Sequence, residues 1–221
     1  MKRQYLGDSK DSFKWDYLHA LAVALKYRCL RIAWMLTEDD PGTDGRTAPE
    51  RFPARPEILA LCREMRSARD PALVANLPAA LRASYSVAFH EPERCFSANG
   101  RREYFAAVRP AAREVLFFDP DNGFEPERRC TEKHLEYAEL GEILRRAPDD
   151  FVAVVFQHHR RRHFAGDFAR IRARLAPAMP ATAIYWQTLM FVAVSPSART
   201  LDNVRTANAA YARHKPVVLL I

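Results

Sequence analysis

The sequence predicts a three-layer α/β fold in which helices cover both faces of a mostly parallel sheet. Three observations predict it. Short, continuously apolar segments recur along the chain, segments of helical periodicity separate them, and the most polar motifs directly follow the apolar segments. The clearest apolar segments are residues 30–36, 114–118, 151–156 and 216–221. A strand that is apolar on both faces is typical of a sheet buried between two helical layers.

Helices are predicted between these strands from the spacing of apolar residues. In residues 9–27, Phe13, Tyr17 and Leu21 recur every four positions and give the segment one apolar face. The other predicted helices are residues 56–68, 72–83, 101–109, 133–146, 167–175 and 201–214, and further strands are predicted at 84–90, 184–186 and 189–194. Ligands of such sheets bind at the carboxyl ends of the strands, so polar residues that follow a strand are candidates for a site.

Composition favours one globular domain. The chain has 221 residues, 48% hydrophobic and 28% charged, with 34 basic against 27 acidic residues and a net charge of +7. We interpret residues 1–221 as a single domain, with 37–56 as a lid or long loop and 57–110 as a mainly helical elaboration. No apolar run reaches about 18 residues, so no membrane span is expected. The four cysteines form no C-x-x-C pair, which favours reduced thiols and a cytoplasmic location.

The segment FFDPDNGFE, residues 117–125, is the most informative motif. It follows a predicted central strand and carries Asp119, Asp121 and Glu125 within seven positions. Carboxylates held close together bind a divalent cation or shift the pKa of a general base. We therefore predict catalytic roles for Asp119, Asp121 and Asn122. A plain β-turn built from Asp, Asn and Gly is the alternative.

A second polar motif, QHHRRRH, follows the predicted strand at 151–156. His158 at this strand end is a candidate general base, while the adjacent His159 should point the opposite way. A surface turn is the alternative. The guanidinium groups nearby favour phosphate. The predicted substrate-binding residues are Lys10, Gln157, Arg160 and Arg161.

The 119–125 segment resembles the catalytic Asp-Pro-Pro-Tyr motif of Rossmann-like methyltransferases that act on the amino group of adenine. Asp119 and Pro120 match that motif, whereas Asp121 stands at the second proline and Asn122 at the aromatic residue. The resemblance implies that Asp119 and a main-chain carbonyl hold the target amine. Phe124 is the nearest aromatic residue in this segment.

The N-terminal block resembles the Gly-Asn/Asp-x-x-Asp-x-x-Lys-His stretch that opens the ribosomal-RNA methyltransferases of this type. Gly7, Asp8, Asp11 and Lys14 take the matching places. A capped amphipathic helix is the alternative. The resemblance implies S-adenosylmethionine as cofactor, although residues 35–45, at the place of the cofactor loop, contain no G-x-G. The predicted cofactor-binding residues are Asp8, Lys14, Thr37, Asp39, Asp40 and Gly45.

The order of motifs along the whole chain also resembles that of a widespread family of bacterial and phage-associated proteins. The shared arrangement is GDxxDxxK, then LTxDD with a DG, then DPDNGxE, then a strand that ends in QH. This resemblance covers nearly the whole length and implies no particular activity.

Three functions remain open at this point. The first is a methyltransferase-like enzyme acting on nucleic acid, since a basic chain suits a polyanionic partner. The second is a metal-dependent nuclease or phosphoesterase in which Asp40, Asp119 and Asp121 hold Mg²⁺ or Mn²⁺ beside His158. The third is a non-catalytic nucleic-acid-binding module. No membrane partner is expected, and the oligomeric state is left open.

Overall fold

A computed structural model describes residues 2–39, 47–91, 96–159, 163–175 and 179–221. Its helices are α1 Ser9–Ala24, α2 Pro56–Ala68, α3 Leu77–Ala80, α4 Arg101–Ala107, α5 Tyr137–Arg145, α6 Phe164–Arg174 and α7 Ala198–Ala212. Its strands are β1 Cys29–Trp34, β2 Ser86–His90, β3 Glu114–Asp119, β4 Gly123–Phe124, β5 His134–Leu135, β6 Val152–His158, β7 Ala181–Trp186, β8 Leu189–Val194 and β9 Val218–Leu220. No helix in the described ranges combines the length and the apolar character needed to cross a membrane.

In the described part of the chain, seven strands form one sheet in the order β2-β1-β3-β6-β8-β7-β9. The pairs β1–β2, β1–β3 and β3–β6 are parallel, and the β7–β8 hairpin adds an antiparallel half that β9 extends. Helices cover both faces, so the chain has a Rossmann-like three-layer α/β fold, as the sequence predicts. The short strands β4 and β5 pair with each other outside this sheet.

The strand order reverses beside β1. From β1 the chain first adds β2 on one side and then adds β3 on the other. In open α/β sheets this reversal opens a crevice at the carboxyl ends of the two strands, because their connections leave in opposite directions. The fold therefore points to the carboxyl ends of β1 and β3 as the place where a ligand would bind.

Strand β3 shows why the central strands carry apolar residues on both faces. Val115 and Phe117 pack into the hydrophobic cluster shared with α1, α2 and α7, while Leu116 and Phe118 pack into the cluster shared with α4, α5 and α6. All four side chains are fully buried. Alternate residues of the strand thus face two different helical layers, which holds β3 in the middle of the molecule.

Two of the predicted helices differ from the structure. Residues 72–83 form a 3₁₀ helix, Pro71–Asn76, followed by the single turn α3 rather than one α-helix. The helix predicted at 133–146 begins only at Tyr137, because His134–Leu135 pairs with β4 and Glu136 then caps the helix together with Glu139. In both places local backbone pairing or a proline overrides the apolar spacing.

The segment predicted as a lid is partly anchored. Residues 40–46 lie outside the described part of the chain. Beyond them, Thr47 Oγ1 is 2.7 Å from Ser9 Oγ, and the ring of Phe52 lies 4.8 Å from that of Phe13 and 5.0 Å from that of Trp186. Residues 47–56 are therefore held by contacts with α1 and with the hydrophobic core. The following elaboration is not only helical, since it contributes β2 to the edge of the sheet.

Candidate functional site

A cavity of about 260 Å³ opens at the carboxyl edge of the sheet, beside the strand-order reversal. The residues that follow β3, the end of β6 and the start of α1 all line it. Its acidic residues are Asp8, Asp11, Asp119 and Asp121. Its lysines are Lys2, Lys10, Lys14 and Lys133. The cavity thus brings together motifs that lie more than 100 residues apart in sequence.

The turn before α1 places its acidic residues at the cavity. Asp8 is the N-cap, and its Oδ1 accepts from the backbone N–H groups of Lys10 at 2.8 Å and Asp11 at 3.0 Å. The Gly7 N–H donates to Asp11 Oδ2 at 2.7 Å. Gly7 has φ +73°, and a Cβ there would lie 1.9 Å from the Cys62 carbonyl oxygen. Only glycine fits this turn, which explains its place in the motif.

Lys14 joins the two motifs. Its Nζ donates to Asp11 Oδ1 at 2.7 Å and to Asp119 Oδ2 at 2.8 Å, and all three side chains are nearly fully buried. Burial raises the pKa of Asp119, although the Lys14 charge opposes this. The two carboxylates outweigh burial at Lys14 and raise its pKa, so the ammonium stays protonated. The buried ammonium fixes the carboxylate at the end of β3.

Asp8 keeps one carboxylate oxygen unused. The residue is 2% exposed, yet in the described part of the chain Oδ2 has no hydrogen-bond partner. Burial and the charge of Asp11 raise the pKa of Asp8 to about 7. A buried unsatisfied acceptor is costly, so a donor from a ligand in the cavity would stabilise it.

The strand β6 extends two residues further than its apolar run and brings His158 to the cavity. Its Nε2 lies 3.2 Å from Lys10 Nζ, and its Nδ1 lies 3.3 Å from the His159 carbonyl oxygen. Since the ammonium can only donate, this pair of contacts requires a neutral ring protonated on Nδ1. The ring of His159 instead lies 5.5 Å from that of Phe164, so the two histidines diverge as predicted.

Gln157 directly precedes these histidines but does not line the cavity. It is fully buried, its Oε1 accepts from the Phe124 N–H at 2.9 Å, and its Nε2 donates to the His158 carbonyl oxygen at 2.9 Å. The structure therefore places this predicted substrate-binding residue under the loop that follows β3. There its amide holds the loop against β6.

We expect Gly123→Ala to lower the free energy of unfolding by about 2 kcal/mol or more. Gly123 has φ +101°, and a Cβ would lie 2.3 Å from Gln157 Oε1. Gly166→Ala is the matched control, because Gly166 is helical and has nothing within 4 Å of its Cβ position. That control should stabilise the protein by about 0.5–1 kcal/mol. Urea denaturation measures both, and similar shifts in the two variants would contradict the expected crowding.

The remaining predicted residues are distributed around the same edge. Thr37 Oγ1 donates to Asp121 Oδ2 at 2.6 Å, which links the end of β1 to the loop after β3. Asn122 lines the cavity, whereas Asp39 does not, and its Oδ1 accepts from the Gln4 N–H at 3.1 Å. The predicted residues outside the described part of the chain are Asp40, Gly45, Arg160 and Arg161.

A metal centre made of Asp40, Asp119 and Asp121 stays a prediction. In the ranges that the structure describes, no group of three His, Cys, Asp or Glu side chains is placed to hold a metal ion. Asp119 and Asp121 contact Lys14 and Thr37 instead, and Asp40 is not described. The described carboxylates act as hydrogen-bond acceptors here.

Two lysines of the site, Lys2 and Lys133, were not predicted from the sequence, whereas Lys10 and Lys14 were. The chain contains 28 arginines and six lysines, yet four of those lysines and none of the described arginines line the cavity. The lysine ammonium is a compact charged group, and its pKa shifts readily on burial. The guanidinium of arginine, by contrast, stays protonated. The rarity of lysine in this chain was the feature of the sequence that could have drawn attention to these residues. Asp11, Tyr5 and Phe156 also line the cavity without having been predicted as site residues.

Comparison with known proteins adds no further assignment. No model of a protein family matches the chain, and neither the curated proteins nor the solved structures contain a significant match.

Proposed function

We propose that the chain is a methyltransferase-like enzyme that acts on an amino group of nucleic acid and uses S-adenosylmethionine. One observation carries the proposal. Residues of the block from Gly7 to Lys14 and of the segment from Asp119 to Asn122, which separately resemble methyltransferase motifs, line the same cavity. The Lys14–Asp119 ion pair joins them at 2.8 Å. The cavity lies at the reversal of a Rossmann-like sheet, where such folds bind ligands.

The charged groups of the cavity fit the amino-acid end of S-adenosylmethionine, which carries an ammonium, a carboxylate and a sulfonium. The unused Asp8 Oδ2 is an acceptor for the ammonium, and Lys10 and Lys133 are cations suited to the carboxylate. The cavity of about 260 Å³ is close to the lower end of ligand pockets, roughly 300 Å³, which suits part of the cofactor. When bound, the cofactor supplies an electrophilic methyl group.

The chain's own residues would orient the amine and remove its proton. Lys14 fixes the carboxylate of Asp119, and the carbonyl of Pro120 follows directly at the cavity. These two acceptors would hold the N–H groups of the target amine. His158 lines the same cavity and is the candidate for accepting the proton that the amine releases. Phe156 provides an apolar surface in the same cavity.

Isothermal titration calorimetry with S-adenosylmethionine tests the cofactor assignment. The wild-type chain should release heat on binding, and Asp8→Asn should weaken binding about tenfold, since it removes a charged acceptor. Asp70→Asn is the matched control. Asp70 also caps a helix through its Oδ1, which accepts from Ala72 N–H at 2.8 Å, but it is exposed and does not line the cavity. Absence of heat with the wild type at high protein concentration would contradict the proposal.

Two further measurements separate this function from its alternatives. Transfer of a labelled methyl group to nucleic acid, lost in Asp119→Ala, would support the methyltransferase. A rise in melting temperature with Mg²⁺ or Mn²⁺ together with cleavage of nucleic acid would favour the hydrolase. Nucleic-acid binding that survives both Asp119→Ala and His158→Ala, without either reaction, would favour the non-catalytic module.

A further inference from the structure

A second cavity, of about 640 Å³, lies at the opposite edge of the sheet. It is formed where the chain enters β1, β2 and β3, at residues 26–28, 81–85 and 113, together with the last turns of α1. A strand of six residues spans about 20 Å, so this cavity is well separated from the candidate active site. We call it the amino-edge groove.

The amino-edge groove is rich in cations. Its basic side chains are Lys26, Arg28, Arg82 and Arg113, and none of the described Asp or Glu residues lines it. Within the described ranges none of these four forms an ion pair, whereas other arginines do: Arg31 lies 2.5 Å from Glu114 and Arg55 lies 2.7 Å from Asp16. Concentrated positive charge of this kind is suited to an anionic ligand.

The backbone holds these cations around one space. Lys26, Arg82 and Arg113 have φ of 55°, 51° and 55°, in the left-handed region where glycine or asparagine is favoured. Arg113 Nη2 donates to the Lys26 carbonyl oxygen at 2.6 Å, and the Arg28 N–H donates to the Arg113 carbonyl oxygen at 2.9 Å. A glycine would suit each of the three left-handed positions better, so the backbone alone does not account for basic side chains there.

We propose that the amino-edge groove binds a nucleoside triphosphate. Its volume falls within the range of about 300–1,000 Å³ typical of small-molecule sites. Arginine forks and a lysine point charge suit the phosphates. The groove also presents apolar surface from Leu81 and from Val23, which is 49% exposed, on which the nucleoside can rest. The site is independent of the function proposed for the carboxyl edge.

The test is calorimetric titration of the full chain with ATP and, separately, with inorganic tripolyphosphate. Lys26→Gly and Arg82→Gly remove a charge while suiting the left-handed backbone, so both variants should fold. Each should weaken ATP binding about tenfold. Arg69→Gly is the matched control, because Arg69 also has φ 53°, at the end of α2, and lies outside the groove. Its affinity for ATP should equal that of the wild type.

The outcomes are distinct from those that test the carboxyl-edge cavity. Tighter binding of ATP than of tripolyphosphate, lost in Lys26→Gly and Arg82→Gly but kept in Asp8→Asn, supports the proposal. Equal affinity for ATP and tripolyphosphate would overturn the nucleoside part. Absence of ATP binding, an equal loss in Arg69→Gly, or binding of oligonucleotide alone would overturn the proposal as a whole.

Discussion

Lys14→Met is expected to lower the free energy of unfolding by about 3–5 kcal/mol at pH 7. The substitution keeps an apolar chain of similar length but removes the ammonium that lies 2.7 Å from Asp11 and 2.8 Å from Asp119. Two buried carboxylates would then face each other's charge without compensation. Removing one partner of a buried ion pair costs more stability than replacing both partners, because the remaining charge stays buried without a counter-charge. Urea denaturation with linear extrapolation measures the loss.

Lys10→Met is the matched control for this prediction. Lys10 lines the same cavity, but its Nζ contacts the neutral ring of His158 at 3.2 Å and the residue is only partly buried. Its replacement should cost less than about 1 kcal/mol. Adding Asp119→Asn to Lys14→Met should recover part of the stability, since it removes one orphaned charge. Equal losses in the two lysine variants, or no recovery in the double variant, would refute the central role given to Lys14.

The layer architecture could be predicted because the residues of each strand indicate whether its two faces are buried. Residues 115–118 are apolar at every position, and the structure places them between two helical layers in β3. Asp119 follows immediately, so its place at the carboxyl edge of the sheet could also be predicted. Asn122-Gly123, a typical turn dipeptide, instead leads into β4, which begins at Gly123 with a positive φ. These features depend on the residues of one segment alone.

The contacts that build the site could not be predicted in this way. Lys14 and Asp119 are 105 positions apart, and Lys10 and His158 are 148 apart. Periodicity shows that a segment is buried but not which side chain of another segment it meets. Gln157 illustrates the point, because a polar residue after an apolar strand resembles a surface residue. Its amide is buried because β6 continues past Phe156. There the Gln157 side chain accepts a hydrogen bond from the Phe124 N–H.

Asp8→Asn is expected to stabilise the protein at pH 8 by up to about 4 kcal/mol. Burial and the charge of Asp11 raise the pKa of Asp8 from 3.8 to about 7. Between these values the folded chain keeps a proton that the unfolded chain releases. Stability from this group is therefore fully present below about pH 4, falls as the pH rises to about 7, and is lost above it. Asparagine can still cap α1 but carries no charge to bury.

Urea midpoints of wild type and Asp8→Asn from pH 4 to pH 8 measure this effect. The variant's advantage should be small at pH 4 and should widen towards pH 8, while other raised carboxyls such as Asp119 cancel in the comparison. The exposed cap variant Asp70→Asn should show no such divergence. A constant difference across the pH range would mean that Asp8 does not titrate near neutrality.

The two expected effects of Asp8→Asn run in opposite directions, and this separates a structural cap from a functional group. A cap alone would leave ligand binding intact when asparagine replaces it, whatever the change in stability. If the carboxylate of Asp8 is buried in order to bind a ligand, Asp8→Asn should give a more stable protein that binds S-adenosylmethionine less tightly. The unpartnered Oδ2 and the raised pKa of Asp8 both lead us to expect the second result. Increased stability with unchanged binding would remove Asp8 from the site and leave Lys14 and Asp119 as its central pair.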